Sequence, residues 1–244
     1  MQTTFHLNRA ISPSPSKAPA LFWVIAGVFL VLACIPTVWT SIDLVAAGLF
    51  AGSSPQIGAG QWPWVVWINA QIPTVFRLMV FGAFTGWLFT SVTRYGKQWR
   101  MQLAFLALAG ALGPGAVVNL VFKDNWQRAR PYQVEQFGGT QRFTRAAVIT
   151  DQCDNNCSFV SGHVACGFFF VSLMLIHRRR QAVWAVAGIT AGLVIGFARM
   201  ADIAHWLSDV LWACPITLLS SWIVWKLLLL AYRQPELSDQ GTMH

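Results

Sequence analysis

Apolar residues run in six long blocks, divided by short polar connections and one long polar loop. A helix that crosses a bilayer needs about twenty mostly apolar residues, because each adds about 1.5 Å toward a hydrocarbon layer of about 30 Å. Ala20 to Thr40 meets that length, with Pro36 as a kink near its end. Residues 41 to 71 then read as a loop, and QWPWVVWIN within it as an interfacial segment. Ile72 to Val92 is the second predicted span, with Arg77 near its start and free to snorkel toward the headgroups. Met101 to Phe122 is the third, loosened by Gly113-Pro114-Gly115. A polar loop runs from Lys123 to Ser158. Phe159 to Ile176, Ala182 to Ala198 and His205 to Ala231 complete the set. The pattern predicts an all-α polytopic membrane protein with six transmembrane helices and no second domain. A polar tail at 1–19 is predicted to be disordered, a six-span domain to cover 20–232, and a second tail to close the chain at 233–244.

Composition agrees with this pattern. Charged residues are 11% of the chain and hydrophobic ones 55%, whereas soluble domains carry about a quarter charged residues. Thirteen Trp fit interfacial belts. The first apolar block has no small-residue cleavage pattern after it, so it reads as a retained span.

The net charge of +8 invites a nucleic-acid reading, which its distribution removes. Arg9 and Lys17 precede the first span, Arg94, Lys97 and Arg100 follow the second, Arg178 to Arg180 follow the fourth, and Lys226 and Arg233 sit at the C-terminal end. Alternate connections are thus basic, which places them and both termini in the cytoplasm. Asp43, Asp124, Glu135, Asp151, Asp154, Asp202 and Asp209, seven of the nine acidic residues, fall on the opposite side. The basic excess is a topology signal, and no nucleic-acid partner is expected.

Three polar clusters interrupt the apolar order, and the six-span threading brings all of them to the outer face. KDNWQRARP holds Lys123 and Arg130, SFVSGH holds Ser161, Gly162 and His163, and ARMADIAHWLSD holds Arg199, His205 and Asp209. Lys123, Arg130 and Arg199 supply three cations, and an arginine fork matches phosphate oxygens. Ser161 and Gly162 open a helix whose first N–H groups favour an anion. His205 and Asp209, four apart, share a helix face, so the carboxylate can orient the ring while its other nitrogen attacks phosphorus. His163 can protonate the leaving oxygen. Asp202, His6, His177 and His244 belong to no cluster. Cys153 and Cys157, in the polar loop, lack the further ligands a metal site needs and read as a local disulfide.

These clusters resemble the signature of the type 2 phosphatidic acid phosphatase (PAP2) family, K-x6-RP, PSGH and SR-x5-H-x3-D, over residues 101–231. Val160 stands where the family usually has Pro, and Ala198 where it usually has Ser. The resemblance implies a metal-independent lipid phosphatase without a cofactor, acting through a phosphohistidine at His205 that water resolves. Membrane-embedded bacterial members act on phosphatidate, phosphatidylglycerol phosphate, undecaprenyl pyrophosphate or lipid A phosphates. YQVEQFGGTQRFT through CDNNCSFVSGH also looks like the loop of bacterial lipid A phosphatases. The expected substrate is therefore a lipid phosphate, with lipid A favoured, met at the periplasmic face of the bacterial inner membrane. Arg128, Arg142 and Arg145, outside the signature, are expected to engage further anionic groups on it. The same residues would serve a lipid phosphotransferase. A non-catalytic lipid binder or transporter would need no nucleophile.

Overall fold

The computed structural model describes residues 17–51 and 59–233. The expectations for the two tails, with His6 and His244, fall largely or wholly on 1–16 and 234–244, outside the described residues. What is described is helical: α1 (Ala20–Val38), α2 (Ser41–Gly48), α3 (Pro63–Val92), α4 (Arg100–Gly110), a short α5 (Asp124–Trp126), α6 (Gly162–Ser172), α7 (Gln181–Ala201) and α8 (Leu207–Arg233). No strand forms among the described residues beyond an isolated bridge between Val134 and Gln141.

Among the described residues, five helical segments are long and apolar enough to cross a membrane: 20–38, 63–92, 97–123, 178–201 and 207–232. The predicted fourth span is shorter. Phe159 to Ser161 lie outside the helix, and the apolar helix runs only from Gly162 to Leu175, its end tightened into a 3₁₀ turn.

The predicted loop at 41–71 is largely helical. Asp43 and its neighbours form α2, and α3 starts at Pro63, so that it absorbs the segment expected to lie at the interface. Proline fits the first turn of a helix, where its missing N–H would have had no partner anyway. After α4 the chain widens into a π-helical stretch from Ala111 to Lys123, as the Gly-Pro-Gly sequence invites. Asn119 donates its side-chain amide to the Pro114 and Gly115 carbonyls there, at 3.1 and 2.7 Å.

α6 is the central helix, buried on most sides. It approaches α7 so closely that a Cβ on Gly167 would sit 2.7 Å from the Gly192 nitrogen, and one on Gly188 2.4 Å from the Val171 nitrogen. Small residues allow this backbone contact, which drives helix association where hydrophobic burial gives no net gain. Phe29 of α1 meets Phe168 edge-on at 4.9 Å, and Trp225 of α8 closes the core. The outward faces of α1, α3 and α7 remain rich in exposed Val, Leu and Phe, as a lipid-facing surface requires. The chain is a multi-pass membrane protein. The start of α6, the end of the π stretch and the α7–α8 turn meet at one end of the bundle.

Candidate active site

Each block reaches the site by a different backbone route. Lys123 ends the π stretch, Arg130 leads into a 3₁₀ turn at Pro131, Ser161 caps α6, Arg199 lies in the last turn of α7, and His205 sits in the turn before α8. Lys123, Arg130, Arg199 and His205 are all buried. Burying three cations in one pocket is costly unless acceptors compensate, and the long loop supplies some. Asn156 takes Arg130 on its backbone oxygen from Nε and Nη2, at 3.0 and 2.7 Å. Its side-chain oxygen takes Lys123 Nζ at 3.0 Å. A disulfide between Cys153 and Cys157 closes the loop around Asn156. Asp202, which fitted no sequence block, is the counter-ion of Arg199, with Nη1 at 3.1 Å. It also accepts from Asn69 at 3.2 Å.

Arg199 Nε, the Ser161 hydroxyl and His205 Nδ1 are buried with no hydrogen-bond partner among the described residues. Leaving such groups unsatisfied costs about 1–3 kcal/mol each. An anionic oxygen would satisfy Arg199 and Ser161, and the first turn of α6 adds N–H groups that favour one.

His205 and Asp209 face each other at the start of α8. His205 Nδ1 lies 3.6 Å from Asp209 Oδ2. Burial first, and then the charges of Arg199, Arg130, Lys123 and His163, push the His205 imidazole well below its ordinary range. The ring is therefore neutral at pH 7, which leaves a lone pair for attack. Asp209 is held from several directions. Its Oδ2 accepts the Trp206 N–H at 2.9 Å and the Ser158 hydroxyl, and its Oδ1 accepts Arg128 Nη1 at 2.6 Å.

Arg128 requires a correction. It was expected to face the substrate headgroup, yet it is completely buried and points inward. Its Nε donates to the Thr144 carbonyl at 2.9 Å and its Nη2 to Asp43 at 2.8 Å. The guanidinium lies over the Trp206 ring, 5.3 Å from its centroid, and 5.7 Å from that of Phe143. Two carboxylates and two aromatic faces outcompete solvent for it. Arg142 and Arg145 are exposed on the loop.

His163 is placed by a residue far away in sequence. Its Nε2 lies 3.1 Å from the carbonyl oxygen of Asn69. That carbonyl would normally accept from the N–H four residues on, but residue 73 is proline and has none. A carbonyl can only accept, so Nε2 carries the hydrogen. Asp43, Asn69, Pro73, Asn156, Ser158 and Ser208 are thus parts of the site's framework that the motif spacing did not reveal. Only Pro73, a helix-breaking residue inside an apolar run, left a visible sign.

A cleft of about 870 Å³ leads to the site between α3 and the α4–π segment. Phe76, Val80, Phe84 and Leu108 line its length, Lys123 and His163 stand at one end, and Arg77 also faces it. No group of acidic, His or Cys side chains able to hold a metal ion is present among the described residues.

The PAP2 superfamily model matches residues 103–233, the stretch that carries all three blocks. A lipid A 4'-phosphatase of Francisella tularensis subsp. novicida is 35% identical over 82% of this chain and 90% of its own length. Lipid A 4'-phosphatases of Rhizobium etli and Rhizobium leguminosarum are 29% and 36% identical, over 78% and 53% of this chain and 75% and 55% of their own. No solved structure matches. With three cations, a buried His–Asp pair and a second His at one end of an apolar helical bundle, the chain belongs to the PAP2 superfamily and is a membrane phosphatase, a phosphoric ester hydrolase.

Proposed function

We propose that this chain hydrolyses a lipid phosphate, lipid A phosphate foremost, at the outer face of the bacterial cytoplasmic membrane through a phosphohistidine at His205. The observation that carries the reading is the buried, neutral His205, backed by Asp209 and faced by three cations. In the first step His205 Nε2 attacks phosphorus while the bond to the lipid oxygen breaks. His163, entering the step protonated on Nδ1 as well while Nε2–H stays on the Asn69 carbonyl, gives the Nδ1 proton to that oxygen, and Asp209 stabilises the positive charge that develops on His205. In the second step water attacks the phosphohistidine, the P–N bond breaks, and His163 takes the water's proton. Lys123, Arg130, Arg199, Ser161 and the first N–H groups of α6 stabilise the charge on the phosphoryl oxygens throughout.

The reading places the α6 helix as a sixth crossing element, so that both termini are cytoplasmic and the site opens on the periplasm. The apolar cleft supports a lipid substrate, because an acyl chain laid along α3 leaves its phosphate at Lys123 and His163. The names of the relatives support lipid A. Arg142 and Arg145, exposed on the loop, are assigned to a second phosphate or a sugar of the substrate. The test is a phosphate-release assay on detergent-purified protein across a panel of lipid phosphates, with and without chelator. It is paired with rapid acid-free denaturation and detection of labelled His205. Release by His205→Ala at the normal rate, or dependence on a chelatable metal, would overturn the reading. Equal losses on lipid A and phosphatidate in Arg142→Ala/Arg145→Ala would remove the headgroup assignment.

A further inference from the structure

Asp43 is the one acidic residue of the first outer segment that the structure buries completely. Nothing in the three signature blocks includes it. It lies on α2, a short helix between α1 and α3, and it accepts three groups. Arg128 Nη2 donates to its Oδ2 at 2.8 Å, the Ser208 hydroxyl to the same oxygen at 2.5 Å, and the Ser208 N–H to Oδ1 at 2.9 Å. Ser208 also accepts from Arg128 Nη1 at 2.8 Å, and Ser208 immediately precedes Asp209. One guanidinium thus bridges two buried carboxylates, and the first turn of α8 is sewn to both.

We propose that Asp43 is a positioning residue for catalysis: by holding Nη2 of Arg128, it confines that guanidinium to a single oxygen of Asp209 and keeps the other oxygen for His205. An arginine facing a lone carboxylate prefers the two-pronged arrangement, with a parallel bond to each oxygen. Arg128 has the reach for it, since Nη1 already lies 2.6 Å from Asp209 Oδ1. Asp43 removes the second prong. Asp209 Oδ2 then remains with the Trp206 N–H, Ser158 and His205. The charge balance serves the same end. Two carboxylates against one guanidinium leave one net negative charge behind a ring that becomes positive when it bonds phosphorus. Without the Asp43 charge the cluster is neutral, and that positive ring is less stabilised. Simple structural glue would not need this arrangement, because a buried ion pair is often no better for stability than apolar packing.

The inference rests on the phosphohistidine reading, and the test separates the two. Asp43→Asn preserves size and one acceptor oxygen, and lets Arg128 turn fully onto Asp209. Its kcat on a lipid phosphate and on a small soluble phosphate ester should fall by roughly 10- to 100-fold, part of what acid–base and nucleophile positioning supplies. KM should stay within about twofold, because the phosphate-binding cations are untouched. Its acid limb of kcat should move to lower pH. His205 is otherwise faced by Asp209, Arg199, Arg130, Lys123 and His163, none of which changes. Arg128→Lys, which retains the charge but can grip only one carboxylate at a time, should show the same loss of kcat. In the Asp209→Asn background Asp43→Asn should cost little more, because both act through one pathway. The inference is overturned if folded Asp43→Asn or Arg128→Lys keeps normal kcat and acid limb, or if its loss multiplies with that of Asp209→Asn. Full activity in His205→Ala would instead overturn the underlying mechanism.

Discussion

Replacing Pro73 with Ala separates the stability of α3 from its service to catalysis. A proline in a helix interior is about 3 kcal/mol less favourable than alanine. The substitution supplies an N–H at position 73, which closes the helical bond onto the Asn69 carbonyl. That carbonyl then has less to offer His163 Nε2, now 3.1 Å away, and a neutral hydrogen bond of this kind is worth about 1 kcal/mol. The net expectation is a helix stabilised by up to roughly 2 kcal/mol, or several degrees in Tm. A loss of about 1 kcal/mol in the placement of His163 should lower kcat by about fivefold, with KM little changed because His163 acts on the leaving oxygen in the proposed mechanism. Phosphate release and thermal unfolding, followed on the same detergent-purified sample, give both numbers. An enzyme that is more stable and equally fast would refute the reasoning. One that loses stability and activity together would show that the proline shapes the bundle and does not free a carbonyl for chemistry.

Three further outcomes follow from the site. Cys153→Ser/Cys157→Ser, or reduction of the disulfide, should raise KM with a smaller change in kcat, because Asn156 holds both Lys123 and Arg130; KM measured with and without reductant decides this. His205 lies below its ordinary value of 6.5, so the folded protein stays active as the pH falls through that value. The unfolded chain takes up a proton there that the folded chain refuses, so stability declines over the same window; parallel pH series of rate and unfolding show both. Arg77→Ala should weaken turnover of lipid phosphates more than that of a small soluble phosphate ester, since Arg77 lines the apolar cleft and belongs to none of the three signature blocks.

Hydropathy and spacing revealed the parts of the molecule that local rules govern. Apolar runs located the long helices, and fixed intervals located Lys123, His163, His205 and their partners. The start of α3 escaped because Trp62 to Trp67 is equally at home at an interface or in a helix, and packing decides between them. Arg128 was misassigned because a cation near a phosphate motif looks alike whether it turns outward or inward. The carboxylate that turns it inward, Asp43, lies 85 residues away in sequence. Asn69 escaped for a similar reason, since its contribution is a backbone oxygen that its own side chain does not announce. Such second-layer parts depend on three-dimensional pairing, and no sequence interval encodes them.

The shortness of the α6 helix has a consequence for how a lipid is handled. Together with the 3₁₀ turn that ends it, it has fourteen residues, Gly162 to Leu175, which rise about 21 Å, roughly 9 Å less than the hydrocarbon thickness. If α6 crosses as proposed, with Arg178, Arg179 and Arg180 at one surface, the Ser161–His163 end stops below the opposite one. On the proposed reading a lipid phosphate would descend to meet His205 while its chains stay in oil. Raising the lipid instead would expose methylenes at about 0.8 kcal/mol each. The depth of one truncated helix would then spare the enzyme the work of extraction, and leave headgroup dehydration as the barrier that selects its substrates.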